Sequence, residues 1–239
     1  MAAVLSMFAT ATSTDKITRC AKTAVLPVGS FEQHGDHLPL MTDTLIACEI
    51  AGRLAENYEL LLLPPVTISC SHEHAGFPGT VSIKATTLVA FVDDVVDSLN
   101  ISGITHVVLV NGHGGNHVLA NLVCAHNIAS RTMMLFPSQE DWCTARTHAG
   151  METTNHDDMH GGELETSLLL HTHPRLVGDN YTVADHEVGD RPDLLITGMA
   201  GYTSSGIIGR PSVATAAKGR IALDSLSESF ADRFKTLTS

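Results

Sequence analysis

Apolar residues first gather at Thr23–Val28 (TAVLPV), a short run that ends at Gly29 and predicts a buried strand. From Thr44 to Tyr58 they recur at helical spacing, with Thr42 and Asp43 as possible caps. Leu60–Leu63 predicts a second buried strand, closed by Pro64 and Pro65. Residues 67–86 carry Gly, Pro, His and Ser without a period and read as a long loop. Thr87–Leu99 is amphipathic, with Asp93, Asp94 and Asp97 on its wet side. His106–Val110 (HVVLV) is the strongest strand signal, and a Gly-rich turn, NGHGGN, leads from it into a helix over about 116–130. Thr132–Phe136 predicts a fourth strand, and residues 137–161 read as irregular. Glu163–His171 looks helical and stops before Pro174, and a last helix covers about 214–234.

Strands alternating with helices imply right-handed crossovers and a parallel sheet covered on both faces, an α/β fold. No linker, composition break or internal repeat divides the chain, so residues 23–239 form one domain, preceded by an arm over residues 1–22. Ligands of such sheets bind beyond the carboxyl ends of the strands. Residues 29–43, 67–86, 111–116 and 137–161 follow the four strands, so one edge of the sheet collects them.

Composition narrows the function classes. Hydrophobic residues make up 44% and charged residues 17% of the 239, which fits a folded globule rather than disorder. The net charge of −12 opposes binding to a phosphate backbone. No apolar run approaches the roughly 18 residues of a membrane span, and the N-terminus lacks the basic flank of a signal peptide. The 5 scattered Cys form no C-x-x-C pair and read as thiols of a reducing, cytoplasmic setting. The 14 His equal the combined Lys and Arg count, and where they fall decides the chemistry.

Four segments carry them. GSFEQHGDHLPLMTD (29–43) packs carboxylates and imidazoles between a strand and a helix. Glu32 and His34 are two apart and share a side if the segment is extended, while Asp43 can swing back from the next helix. Mixed N and O donors suit zinc, manganese or iron. In NGHGGN, His113 at the tip of a strand reads as a ligand, and a phosphate nest is disfavoured because no Lys follows. HGGELETS (160–167) offers His160, Glu163 and Glu165 at a helix entry. The two Glu cannot share one face closely, so their roles should differ. SHEHAGFPGT (71–80) is either a metal patch by itself or a loop lining a substrate pocket, the latter assigning His74 to the pocket. Trp142, the one Trp, is a core residue or a pocket wall.

These motifs, in this order, resemble the creatininase family, whose signature is near G-S-x-E-Q-H-G-x-H-L-P-L-x-T-D. The resemblance covers roughly residues 23–236 and implies a three-layer α/β/α domain with a mainly parallel central sheet. It also implies a binuclear metal centre and a homohexamer. Glu32 and His113 then look like ligands of one metal, His34 of the other, with Asp43 bridging, and His160 resembles the His that handles the proton at the scissile nitrogen. One departure matters: creatininase has N-G-H-Tyr-Glu-Asn, with that Glu a metal ligand, where this chain has Gly114 and Gly115. The loss opposes creatinine as substrate and leaves the ligand count short. Glu163 is expected to supply the missing carboxylate and Glu165 to stand behind the ligands. The expected activity is hydrolysis of a C–N bond in a small molecule (a cyclic amide, formamide or peptide-like amide) by a hydroxide bridging two cations. Zinc is the foremost metal, with manganese and iron as alternatives. The alternative substrate is a sugar- or cyclitol-like ketone.

Overall fold

A computed structural model describes residues 10–15 and 21–239, so the expected arm lies largely outside the described residues. Its sheet has four parallel strands: β1 (Thr23–Val28), β2 (Leu61–Leu62), β3 (His106–Asn111) and β4 (Met133–Phe136), in the order β2-β1-β3-β4. The longer helices are α1 (Thr42–Asn57), α2 (Ala85–Ile101), α3 (Val118–His126), α4 (Gln139–His148), α5 (Glu163–Thr172) and α7 (Ala216–Thr238), with a four-residue α6 (Leu194–Thr197).

Alternate residues of the central strands face opposite layers. Val25, Val108 and Val110 pack with Leu45, Leu54, Leu168 and Phe230 beneath α1, α5 and α7. Ala24, Leu26, Val107 and Leu109 pack with Leu88, Val92 and Leu119 beneath α2 and α3. Strands buried on both faces must be apolar throughout, which is why TAVLPV and HVVLV carry so clear a signal. A three-layer α/β fold follows from this packing. No helix among the described residues is long and apolar enough to cross a membrane.

Three expectations shift. Residues 137–161 are not wholly irregular: α4 occupies 139–148, opened by a capping box in which the Ser138 hydroxyl accepts from the Asp141 amide and the Asp141 carboxylate accepts from the Ser138 amide. The helix expected over 116–130 is shorter, because the Asn127 side-chain oxygen accepts from the Thr132 and Met133 amides and turns the chain toward β4. Thr42 and Asp43 do not cap α1. They lie inside its first turn, where Asp43 has other partners.

Candidate metal centre

The register pairs Val28 with Asn111 and Val110 with Phe136, so the loops after β1 and β3 leave the sheet side by side. α1 starts hard against them. A Cβ at Gly112 would lie 2.4 Å from the Asp43 carbonyl oxygen, so only glycine lets the helix come this close. This approach delivers the Asp43 carboxylate between the two loops. Its Oδ1 lies 3.1 Å from His34 Nε2, and its Oδ2 lies 3.0 Å from His113 Nδ1 and accepts the Ser30 hydroxyl at 2.7 Å.

Glu32 lies beside it. Its Oε1 is 3.1 Å from His113 Nδ1, 3.3 Å from His74 Nε2 and 3.8 Å from His160 Nδ1. His160 reaches the cluster because its backbone pairs with Ile208, and its ring lies 4.2 Å from that of His34, centroid to centroid. Glu32, His34, Asp43, His74, His113 and His160 are all buried.

The outer nitrogens of three histidines are tied to carbonyl oxygens. His34 Nδ1 lies 3.0 Å from the Glu32 carbonyl, His113 Nε2 2.7 Å from that of Cys70, and His160 Nε2 2.6 Å from that of Gln33. A carbonyl only accepts, so each of these nitrogens carries the hydrogen. In the neutral imidazole the inner nitrogen then presents a bare lone pair to the carboxylates. Neither oxygen of Glu32 receives a hydrogen bond among the described residues, although both are buried. Converging lone pairs and an unsatisfied buried carboxylate are what a divalent cation would resolve. Ligand atoms come within 4.8 Å of one another in three sets: Glu32 with Asp43 and His113, His34 with Asp43 and Glu165, and Glu32 with His34 and His160. This N and O donor set fits zinc or manganese.

Without a cation, protons take its place. Against the pull of burial, Asp43 raises His34 to about 9, and Glu32 and Asp43 raise His113 well above the ordinary range. Against burial too, His34 and His113 hold Asp43 well below the ordinary carboxylate range. Burial pushes Glu32 up, and pushes Glu165 up to about 7. Burial and the neighbouring His34 and His74 keep His160 neutral.

His74 is oriented differently. The Gln33 amide oxygen accepts from Gly35 N, which fixes its nitrogen as donor to the Gly206 carbonyl and to His74 Nδ1. His74 Nδ1 therefore accepts, and Nε2–H points at Glu32. Burial lowers His74 to about 3, so it is a neutral donor inside the cluster.

Glu165, expected behind the ligands, lies nearer the cluster than Glu163, which was expected among them. Glu163 is buried away from the cluster, where it accepts from the Glu152 and Thr153 amides, the Thr153 hydroxyl and the Lys218 ammonium. Glu165 Oε2 lies 4.0 Å from His34 Nε2 and accepts the Gly161 amide at 2.6 Å. Helical geometry separates the two by roughly 200°, and the fold turns Glu165 inward. Trp142, on α4, packs partly buried against the core, which is the structural one of its two readings. Ser30 and Gln33 escaped the sequence reading, which considered Glu73 only as part of a possible metal patch. All three lie within the segments 29–43 and 71–80.

Comparison with known proteins shows the family and the fold. The family model described as "Creatininase: Creatinine amidohydrolase" matches residues 8–234. The mycofactocin precursor peptide peptidase of Mycolicibacterium smegmatis is 35% identical over 221 residues, covering 88% of this chain and 83% of that protein. The creatinine amidohydrolase of Pseudomonas putida is 29% identical over 231 residues, covering 88% of each. A solved structure described as "Creatininase Mn" superposes with a TM-score of 0.77 at 26% identity, covering 95% of this chain and 96% of that one.

Proposed function

The chain belongs to the creatininase family, and on that premise we propose that it is a metal-dependent amidohydrolase acting on a peptide-type amide. The observation that carries the reading is the convergence of three inward imidazole nitrogens on Asp43 and on Glu32, whose oxygens receive no hydrogen bond among the described residues. Glu32, Asp43 and His113 would hold one cation, and His34, Asp43 and Glu165 a second. Asp43 serves both because its two oxygens face different histidines. When bound, such ions supply Lewis acidity toward the scissile carbonyl and an acidified water.

The chain's own groups supply the rest. His160 is neutral, its Nε2–H is tied to the Gln33 carbonyl, and its Nδ1 faces the centre. It can take a proton from the attacking water at Nδ1 and return it to the departing nitrogen. Its resting form is thus a base that becomes the acid. His74 offers a fixed N–H in the same space and needs no proton exchange to do so.

A peptide-type amide is favoured over creatinine by the turn after β3. A Cβ at Gly114 would meet nothing within 4 Å, which leaves open space where creatininase carries Tyr. The M. smegmatis peptidase, at 35% identity, supports the same substrate class. The test is a panel of short peptides, formamides, lactams and cyclitol ketones, assayed with protein stripped by a chelator and reloaded with Zn²⁺ or Mn²⁺. The expected result is hydrolysis of peptide-type amides by the reloaded protein alone. Full activity of the stripped protein, or turnover confined to the ketones, would refute it.

A further inference from the structure

Glu73 stands at the outer side of the centre. It lies on the single helical turn His72–His74, between β2 and α2. Its side chain is 20% exposed, and Oε1 lies 3.5 Å from His113 Nε2. That nitrogen points away from Asp43 and Glu32 and donates to the Cys70 carbonyl at 2.7 Å. The outer N–H of His113 therefore faces two acceptors, one neutral and one charged.

Space for the carboxylate comes from Gly115. A Cβ there would lie 1.9 Å from Glu73 Oε1, 2.4 Å from His113 Nε2 and 2.8 Å from the Cys70 carbonyl oxygen. Any side chain at 115 would force out the carboxylate, the ring or both. The position thus couples two loops, one after β2 and one after β3, through a side chain that is absent.

We propose that Glu73 is a positioning residue for the metal centre: its carboxylate, admitted by Gly115, orients the His113 imidazole and strengthens its Nδ1 as a ligand. A negative group beside the outer N–H of a ligating imidazole fixes the ring and raises its basicity toward the cation. The inference rests on the metal reading above, and assigns Glu73 no contact with substrate.

The test is titration of metal-free protein with Zn²⁺ against a chromophoric chelator, for wild type, Glu73→Gln, Glu73→Ala and Gly115→Ala. Loss of such an outer partner weakens metal binding by about 10-fold or more. We expect that loss at one of two sites in both Glu73 variants, with thermal unfolding of the metal-free protein unchanged. Gly115→Ala should show the same deficit, and adding Glu73→Ala to it should cost nothing further. A merely structural role would lower unfolding temperature and spare the affinity, which overturns the proposal. Should Gly115→Ala fail to fold, the Glu73 variants decide alone. If wild type takes up two zinc ions and the Glu73 variants bind them equally well, this inference fails and the metal reading stands. If wild type binds none, both fail.

Discussion

Glu163→Gln separates the geometry from the role that counting ligands assigns to this residue. The Glu163 side chain is fully buried and pairs with Lys218, whose side chain is 16% exposed. Against the upward pull of burial, that ammonium, the Thr153 hydroxyl and the amides of residues 152 and 153 hold its carboxyl below the usual range. Glutamine keeps an acceptor for Thr153 but removes the charge facing Lys218. Breaking a buried pair from one side costs about 3–5 kcal/mol. Lys218 keeps the Val213 carbonyl at 2.8 Å and Glu152 at 3.6 Å, which reduces the loss to about 2–3 kcal/mol. At about 2.1 cal/mol/K of unfolding entropy per residue, 239 residues give about 0.5 kcal/mol/K. The midpoint should therefore fall by about 4–6 °C. Calorimetry reads the shift, and metal analysis of the same sample should still find the wild-type content. A variant that loses one metal equivalent and keeps its unfolding temperature would refute this, and would restore Glu163 as a ligand.

Glu165→Gln should do the reverse: one metal equivalent lost and most of the activity with it, at a small change in stability of the metal-free protein, checked by metal analysis and peptide hydrolysis. His160→Ala should retain the metal and lower turnover by about 10²–10⁴; loss of metal in this variant would make His160 a ligand. Acid should weaken the metal-free fold through His37, which is buried with Nε2 on the Thr166 hydroxyl and is pushed by burial down to about 4. Its folded value lies below the ordinary 6.5, so the unfolded chain takes up the extra proton. Stability is then lost as pH falls from about 6.5 toward 4, by at most about 3 kcal/mol. Denaturant titrations across that window should give a shallower pH slope for His37→Gln than for wild type, and identical slopes would count against the assignment.

The strands and the edge where the site forms were legible because β1 and β3 are buried on both faces and are nearly all apolar. Glu32, His34 and His113 stood out because they follow the ends of β1 and β3, and Asp43 because it opens α1 at the same edge of the sheet. The choice between Glu163 and Glu165 was not legible. Both open α5, and which one faces inward depends on Lys218, 55 residues further on. The position of α4 was missed because its helical signal is local: the Ser138–Asp141 capping box marks its start, but its exposed face and its Trp142 dilute the period. Asp43 read both as a possible helix cap and as a ligand, because caps and ligands are drawn from the same residue types. Only the partners of its carboxylate tell them apart.

The central claim is that Asp43 joins two cation sites completed by Glu165. Anomalous diffraction at the zinc absorption edge, from crystals of Zn²⁺-loaded protein, tests it most directly. The account predicts two peaks on either side of the Asp43 carboxylate, one bound by Glu32 and His113 and the other by His34 and Glu165. A single peak, no peak, or a second ion bound by Glu163 in place of Glu165 would contradict it.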